Sequence, residues 1–99
     1  MTYHVEFSPE ALEHIAGLRA HDRTRLLDAI ARQLRNQPKQ ETRNRRPMRP
    51  NPVAQYRLRV GQLRVYYDVQ DVPRRLVLLK AIGRKLGNRV YVGDKEVRL

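Results

Sequence analysis

Arg57 and Arg59 alternate along one stretch of the chain, and Arg64 follows five residues later, all within Gln55 to Val69. This stretch reads as a β-hairpin. Gly61-Gln62 separates two strictly alternating segments, and glycine at the first turn position suits a type II′ turn. That turn pairs Val60 with Leu63, Arg59 with Arg64, Leu58 with Val65, Arg57 with Tyr66 and Tyr56 with Tyr67. One face of the hairpin is then apolar, while the other gathers three guanidiniums. Directly opposed like charges destabilise a strand pair, so the arrangement makes sense where an anion is to be held. With RNA as that anion, the chemistry is specific. Metal-free cleavage needs a deprotonated 2′-hydroxyl, a stabilised dianionic phosphorane and a protonated 5′-oxygen, and positioned cations supply mainly the second.

The elements around the hairpin follow from periodicity and capping. Tyr3, Val5 and Phe7 alternate with His4 and Glu6, giving a first strand. Ser8 caps a helix with Pro9 at its first position and an apolar stripe of Ala11, Leu12, Ile15 and Leu18. Asp22 is placed to cap a second helix carrying Leu26, Leu27, Ile30, Ala31 and Leu34, which Asn36-Gln37-Pro38 stops. The two helices form an antiparallel pair whose stripe the apolar hairpin face covers.

Lys39 to Pro52 has no periodicity and reads as a loop in which nothing packs. Its Arg43, Arg45, Arg46 and Arg49 make either a solvated connector or a basic arm on a phosphate backbone. Gln70 to Arg75 reads as a polar turn. The apolar run Leu76 to Ile82 reads as a central strand broken by Lys80, a snorkelling residue or a distal phosphate contact, and ended by Gly83. Val90 to Val92 is a short extended segment in the tail. The expected fold is α+β: β-α-α-β-β-β plus a short C-terminal tail. Two N-terminal helices pack on one face of a mainly antiparallel four-stranded sheet, and the other face, with Arg57, Arg59, Arg64 and Tyr66, is left open. Tyr66 there stacks either on a base or only on Arg57.

Composition narrows the class. Ninety-nine residues make a single domain spanning 1–99, and a formal charge of +11 favours a polyanionic partner: nucleic acid, an acidic protein segment or an anionic surface. Most of the cations are arginine, which suits phosphate recognition. Cysteine is absent, which excludes disulfides and thiolate chemistry. No run approaches membrane-spanning length and the first residues lack a signal-peptide pattern, so a cytoplasmic protein is expected. His4, His14 and His21 precede the basic loop and show no metal-ligand spacing. No phosphate-binding or dinucleotide glycine motif occurs, so neither a metal nor a cofactor is expected.

The layout, together with Tyr56-Arg57-Leu58-Arg59-Val60-Gly61-Gln62-Leu63-Arg64-Val65-Tyr66-Tyr67 and Ala81-Ile82-Gly83-Arg84-Lys85, resembles the RelE/ParE toxin superfamily over essentially the whole chain. The RelE branch implies the toxin of a type II toxin–antitoxin system, an endoribonuclease that cuts messenger RNA in the ribosomal A site and is held by an acidic antitoxin. The family's basic positions match Arg57, Arg59, Arg64, Arg84 and Lys85, and its tail tyrosine matches Tyr91. Arginines stand where the family has first-strand lysines, and a Gly87-Asn88 turn replaces the common C-terminal helix. The resemblance thus implies Arg57, Arg59 and Arg64 as phosphate and transition-state clamps and Lys85 as a further clamp or proton donor. It implies Tyr91 as base or stacking platform, with Arg84 and Arg89 added to the RNA-binding set. Two other readings share these residues: a ParE-like inhibitor of DNA gyrase without ribonuclease activity, and a non-catalytic RNA-binding protein.

Overall fold

A computed structural model describes residues 2–93 and 95–98. In chain order the elements are β1 His4–Phe7, α1 Pro9–Ala16, α2 Ala20–Gln33, β2 Arg45–Pro47, β3 Tyr56–Val60, β4 Leu63–Gln70, β5 Leu76–Leu86, β6 Arg89–Val92 and β7 Lys95–Val97. The α+β class and the mainly antiparallel sheet are as expected, but the sheet has seven strands rather than four. They run in the order β2-β3-β4-β5-β6-β7, with β1 parallel to the first part of β5. The additions, β2 and the pair β6–β7, are three or four residues long and rich in arginine, lysine and proline. Strands this short carry little alternation, none in β2 and β7 and only Val90-Tyr91-Val92 in β6, and their pairing comes from the neighbours they dock on. No helix among the described residues is long and apolar enough to cross a membrane.

The hairpin register is the expected one, from Val60↔Leu63 through Arg59↔Arg64 to Tyr56↔Tyr67. Gly61 has φ +60°, and Gln62 is not in the left-handed region, as a type II′ turn requires. The apolar face carries Leu58, Val60, Leu63, Val65 and Tyr67, which join Leu26, Ala29, Ile30 and Leu34 of α2 and its end in one core. Tyr67 is fully buried, stacks on Tyr56 at 5.5 Å, and donates its hydroxyl to Pro38 O at 2.7 Å.

The opposite face is covered, not open as the sequence suggested. Tyr66, Ala54 and Ala81 are buried there, with Met48, Val53, Val90 and Val92 packed around them. Met48 therefore packs, and so does the loop that carries it. Gly83 does not end β5, which continues to Leu86. A side chain at Gly83 would lie 2.9 Å from Tyr91 O and 3.0 Å from the Tyr66 ring, so glycine here admits a close approach rather than a turn. Nor does Asp22 cap α2. The cap position is Arg19, with no side-chain hydrogen bond, and Asp22 lies in the first turn.

Two irregularities in β5 set the geometry. The register with β4 slips between Tyr66↔Ala81 and Tyr67↔Leu79, leaving Lys80 as the extra residue of a bulge. The slip shifts the alternation, so Val77 and Leu79 reach the helix-side core before it and Ile82 after it, while Ala81 turns to the other face. Along its second edge β5 pairs with β1 at Leu76 to Leu79 and with β6 from Gly83 to Leu86. Backbone groups in the gap are satisfied from α1. Ser8 Oγ donates to Lys80 O at 3.0 Å, and Ile82 N donates to His14 Nδ1 at 3.1 Å.

Ser8 thus works twice, since its hydroxyl also accepts from Ala11 N at the start of α1. Ser8→Ala should cost about 2 kcal/mol in urea unfolding, a lost cap plus an unpaired carbonyl. Ser8→Asp can restore the cap but not the donor. A Ser8→Asp protein as stable as wild type would show the Lys80 bond to be dispensable.

A second test concerns Asp71. Its carboxylate accepts from Lys39 Nζ at 2.6 Å and from the Tyr3 hydroxyl. These bonds hold it below the usual carboxylate range, Lys39 being the larger cause. A lowered pKa adds stability above the unfolded value, and that stability is lost as pH falls through the folded one. Asp71→Asn should therefore be less stable at neutral pH, with the difference shrinking as pH falls through the lowered folded-state value in a pH series of melting curves.

Candidate nucleic-acid interface

On the face away from the helices, strand pairing lines the side chains into rows. Arg46 of β2 lies opposite Arg57 of β3, which lies opposite Tyr66 of β4 and then Ala81 of β5. The next row is Arg59, Arg64, Gly83 and Val92. A third is Lys85, Val90 and Val97. Arginines occupy the β2–β4 side, while Val90, Val92 and Val97 lie on the β6–β7 side, with Lys85 of β5 and Lys95 of β7 at the row ends.

The arginines are held without countercharge. Arg64 is buried, its Nη1 donating to Gly61 O at 2.8 Å and Leu63 O at 2.9 Å. The Nε atoms of Arg57 and Arg64 are buried and have no hydrogen-bond partner. Among the described residues, none of the ion pairs involves Arg46, Arg57, Arg59, Arg64 or Lys85. Arg59 reaches only the Asn44 side chain, at 3.4 Å. Burial, then the neighbouring arginines, hold the Arg57 and Arg64 guanidiniums below their ordinary value. Both remain cations near neutrality.

Tyr66 sits at the centre of this face but is 1 % exposed, so it cannot offer its ring to a base as an open stacking surface. Burial raises its pKa despite the opposing pull of Arg57 and Arg64, which leaves a phenol and not a phenolate. A groove of about 680 Å³ opens over it. Arg46, Arg49 and Arg57 form one wall, and Asn88, Val90, Val97 and Arg98 belong to the other.

The structure brings Arg57, Arg59, Arg64 and Lys85 to one face, with Arg46 and Arg49 beside them. The remaining expected residues lie elsewhere. Tyr91 and Arg84 are cross-strand partners on the helix side, where with Glu13 and His14 they line a separate cavity of about 520 Å³. Arg84 is paired there with Asp22 at 3.0 Å. Arg45 points to the helix side as well, its Nη1 donating to Gln33 O, to Asn36 O at 3.3 Å and to Gln37 O at 3.1 Å. It caps the end of α2 instead of extending toward solvent. Lys80 is the bulge residue and lines a different cavity with Lys39 and Asp71. Arg43 and Arg89 are exposed, before β2 and at the start of β6.

Sequence reasoning missed Met48, Asn88, Val97 and Arg98 as groove residues. Val90 and Val92 flanking Tyr91 gave the only usable signal, an alternation that turns Tyr91 away from whatever the valines face.

As chemistry, the face can hold consecutive phosphates and stabilise charge growing on one of them. No group of three or more His, Cys, Asp or Glu among the described residues could hold a metal ion.

A search of curated proteins finds no match to this chain. A family profile does match, that described as ParE toxin of type II toxin-antitoxin system, parDE, over residues 5–86. That span runs from β1 through β5 and includes the hairpin, both helices and most of the arginine rows. The superfamily expected from the hairpin is therefore the one found, on its ParE side, and membership implies a cognate antitoxin. The chain belongs to the ParE toxin family and is the toxin component of a type II toxin–antitoxin system.

Proposed function

We propose that this toxin is an endoribonuclease directed at messenger RNA, working without a metal and engaging its substrate with the arginine rows. The observation that carries the reading is the like-charge opposition of Arg46 with Arg57 and of Arg59 with Arg64, unrelieved by any carboxylate among the described residues. Such a set is costly in the free protein and is relieved by a polyanion. Arg57, Arg59 and Arg64 clamp the scissile phosphate and the phosphorane, and their field also lowers the pKa of a 2′-hydroxyl held beside them, so that solvent water takes its proton as the 2′-oxygen attacks phosphorus. Lys85, on the same face, protonates the leaving 5′-oxygen. Tyr91 takes no part, being on the helix side. The antitoxin silences the toxin by laying an acidic segment along the same rows.

One observation favours a second reading. Among the described residues the arginine rows hold no histidine or carboxylate to take a proton, which fits a toxin that occupies RNA and blocks translation without cutting it. Mapping the ends of cellular messenger RNA after brief induction separates the two. Cuts bearing 2′,3′-cyclic phosphate, lost in Arg64→Ala and kept in Tyr91→Phe, support cleavage. Translational arrest without cuts supports occupation. Absence of both, with gyrase inhibited, would overturn either reading and leave a gyrase poison.

The clamp also predicts a trade between stability and function. Arg57→Met should stabilise the free toxin by about 0.5–1 kcal/mol, a gain discounted for solvent screening of a half-buried group, while cutting toxicity at least about tenfold. Adding inorganic phosphate should stabilise wild type more than the variant in thermal melts. A variant both less stable and fully toxic would exclude an anion site at this position.

A further inference from the structure

The family match ends at Leu86, whereas β6 and β7 begin at Arg89. Those two strands nonetheless build half of the groove. Without them the arginine rows would lie on an open sheet, accessible to any polyanion. With them, the rows become one wall of a slot whose two sides differ in charge. On the β2–β3 side stand Arg46, Arg49 and Arg57; on the β6–β7 side Val90 and Val97, which are cross-strand partners, face the slot, with Arg98 at its end. Beneath both lies the small apolar core around Tyr66 and Met48.

We propose that β6 and β7 are a selectivity wall that restricts this face to single-stranded RNA. They seat one unstacked nucleotide with its base against Val90 and Val97 and its phosphates on the arginine wall. The inference rests on the RNA-directed reading above and adds the form of RNA. The volume of about 680 Å³ suits a nucleotide with its flanking phosphates and is far too small for a double helix. A duplex also presents its phosphates outside and its base faces stacked, so it gains nothing from an apolar wall. An unpaired base gains burial there, and the Asn88 amide at the rim offers both a donor and an acceptor to its edge. The charge difference between the walls fixes which way round the nucleotide enters, since phosphates are drawn to Arg46, Arg49 and Arg57 and the opposite wall presents Val90 and Val97.

The test uses the full chain and a short 2′-O-methyl RNA, which cannot be cleaved, either single-stranded or annealed to its complement, with binding followed by fluorescence anisotropy. Wild type should bind the single strand about tenfold more tightly than the duplex, the scale of burying one base face against two aliphatic side chains. Val97→Trp, filling the slot, should lose that advantage while leaving duplex binding unchanged. Asn88→Ala, at an exposed turn where folding is not at risk, should weaken single-strand binding alone. Equal affinity of wild type for both forms, or a preference that survives both substitutions, would overturn the selectivity wall and leave the RNA-directed reading intact. If neither form binds wild type better than an Arg57→Ala/Arg64→Ala protein, the RNA-directed reading fails and the wall with it.

Discussion

Two arginine pairs face each other across neighbouring strands, Arg46 with Arg57 and Arg59 with Arg64. At an effective dielectric near 20, unit charges about 5 Å apart repel by about 3 kcal/mol, and by less where water reaches them. The fold survives this because the same strands bury Leu58, Val60, Leu63, Val65 and Tyr67 on their other face. Each such side chain is worth about 1.5–3 kcal/mol as an upper estimate, so together the five outweigh the repulsion of both pairs. Folding and anion binding are thus assigned to opposite faces of one hairpin, and the apolar face sets how much charge the other can carry.

That division holds only if the hairpin's neighbour satisfies both faces, which is the task of β5. A regular strand alternates, so the consecutive apolar residues Ala81 and Ile82 must turn to opposite faces, and each face needs the right residue at the right height. The Lys80 bulge provides this: Val77 and Leu79 serve the helix-side core before it, Ile82 after it, and Ala81 the core around Tyr66. Gly83 then lets the Tyr66 ring settle against the sheet between Arg57 and Arg64. The bulge and the shared edge leave backbone groups that β1 and β6 do not reach, and Ser8 and His14 of the first helical segment meet two of them. His14, which offers nothing to catalysis on the arginine face, has a structural reason for its place.

Much of this was legible because period-2 alternation and a glycine turn determine a hairpin locally. The register from Tyr56 to Tyr67 came out pair by pair, as did the helices with Ser8 at the first cap. Features that depend on contacts distant in sequence were not legible. β2 exists because its backbone pairs with the edge of β3, flanked by Arg59 N donating to Asn44 O and Met48 N to Gln55 O, not because Arg45-Arg46-Pro47 favours a strand. The bulge is invisible in a run of apolar residues that all suit a strand. Gly83 read as a terminator because a turn and a close packing contact ask for the same residue. Tyr66 read as exposed because its cover, Met48, Val90 and Val92, comes from segments whose strands were too short to recognise.

The division of the basic residues follows from the same geometry. Arg45-Arg46 and Arg84-Lys85 are adjacent pairs, and a sequence motif treats each as a unit. In a strand, however, neighbours point to opposite faces. Arg45 therefore caps α2 while Arg46 joins the first arginine row. Arg84 pairs with Asp22 on the helix side while Lys85 lies on the groove side opposite Val90. Tyr91, one residue from Val90 and Val92, is carried to the helix side by the same rule. Each basic pair divides its labour, one residue fastening a helix to the sheet and the other adding charge to the opposite face. A chain of +11 can fold because part of its charge fastens the helices and part is gathered on the one face where a polyanion relieves it.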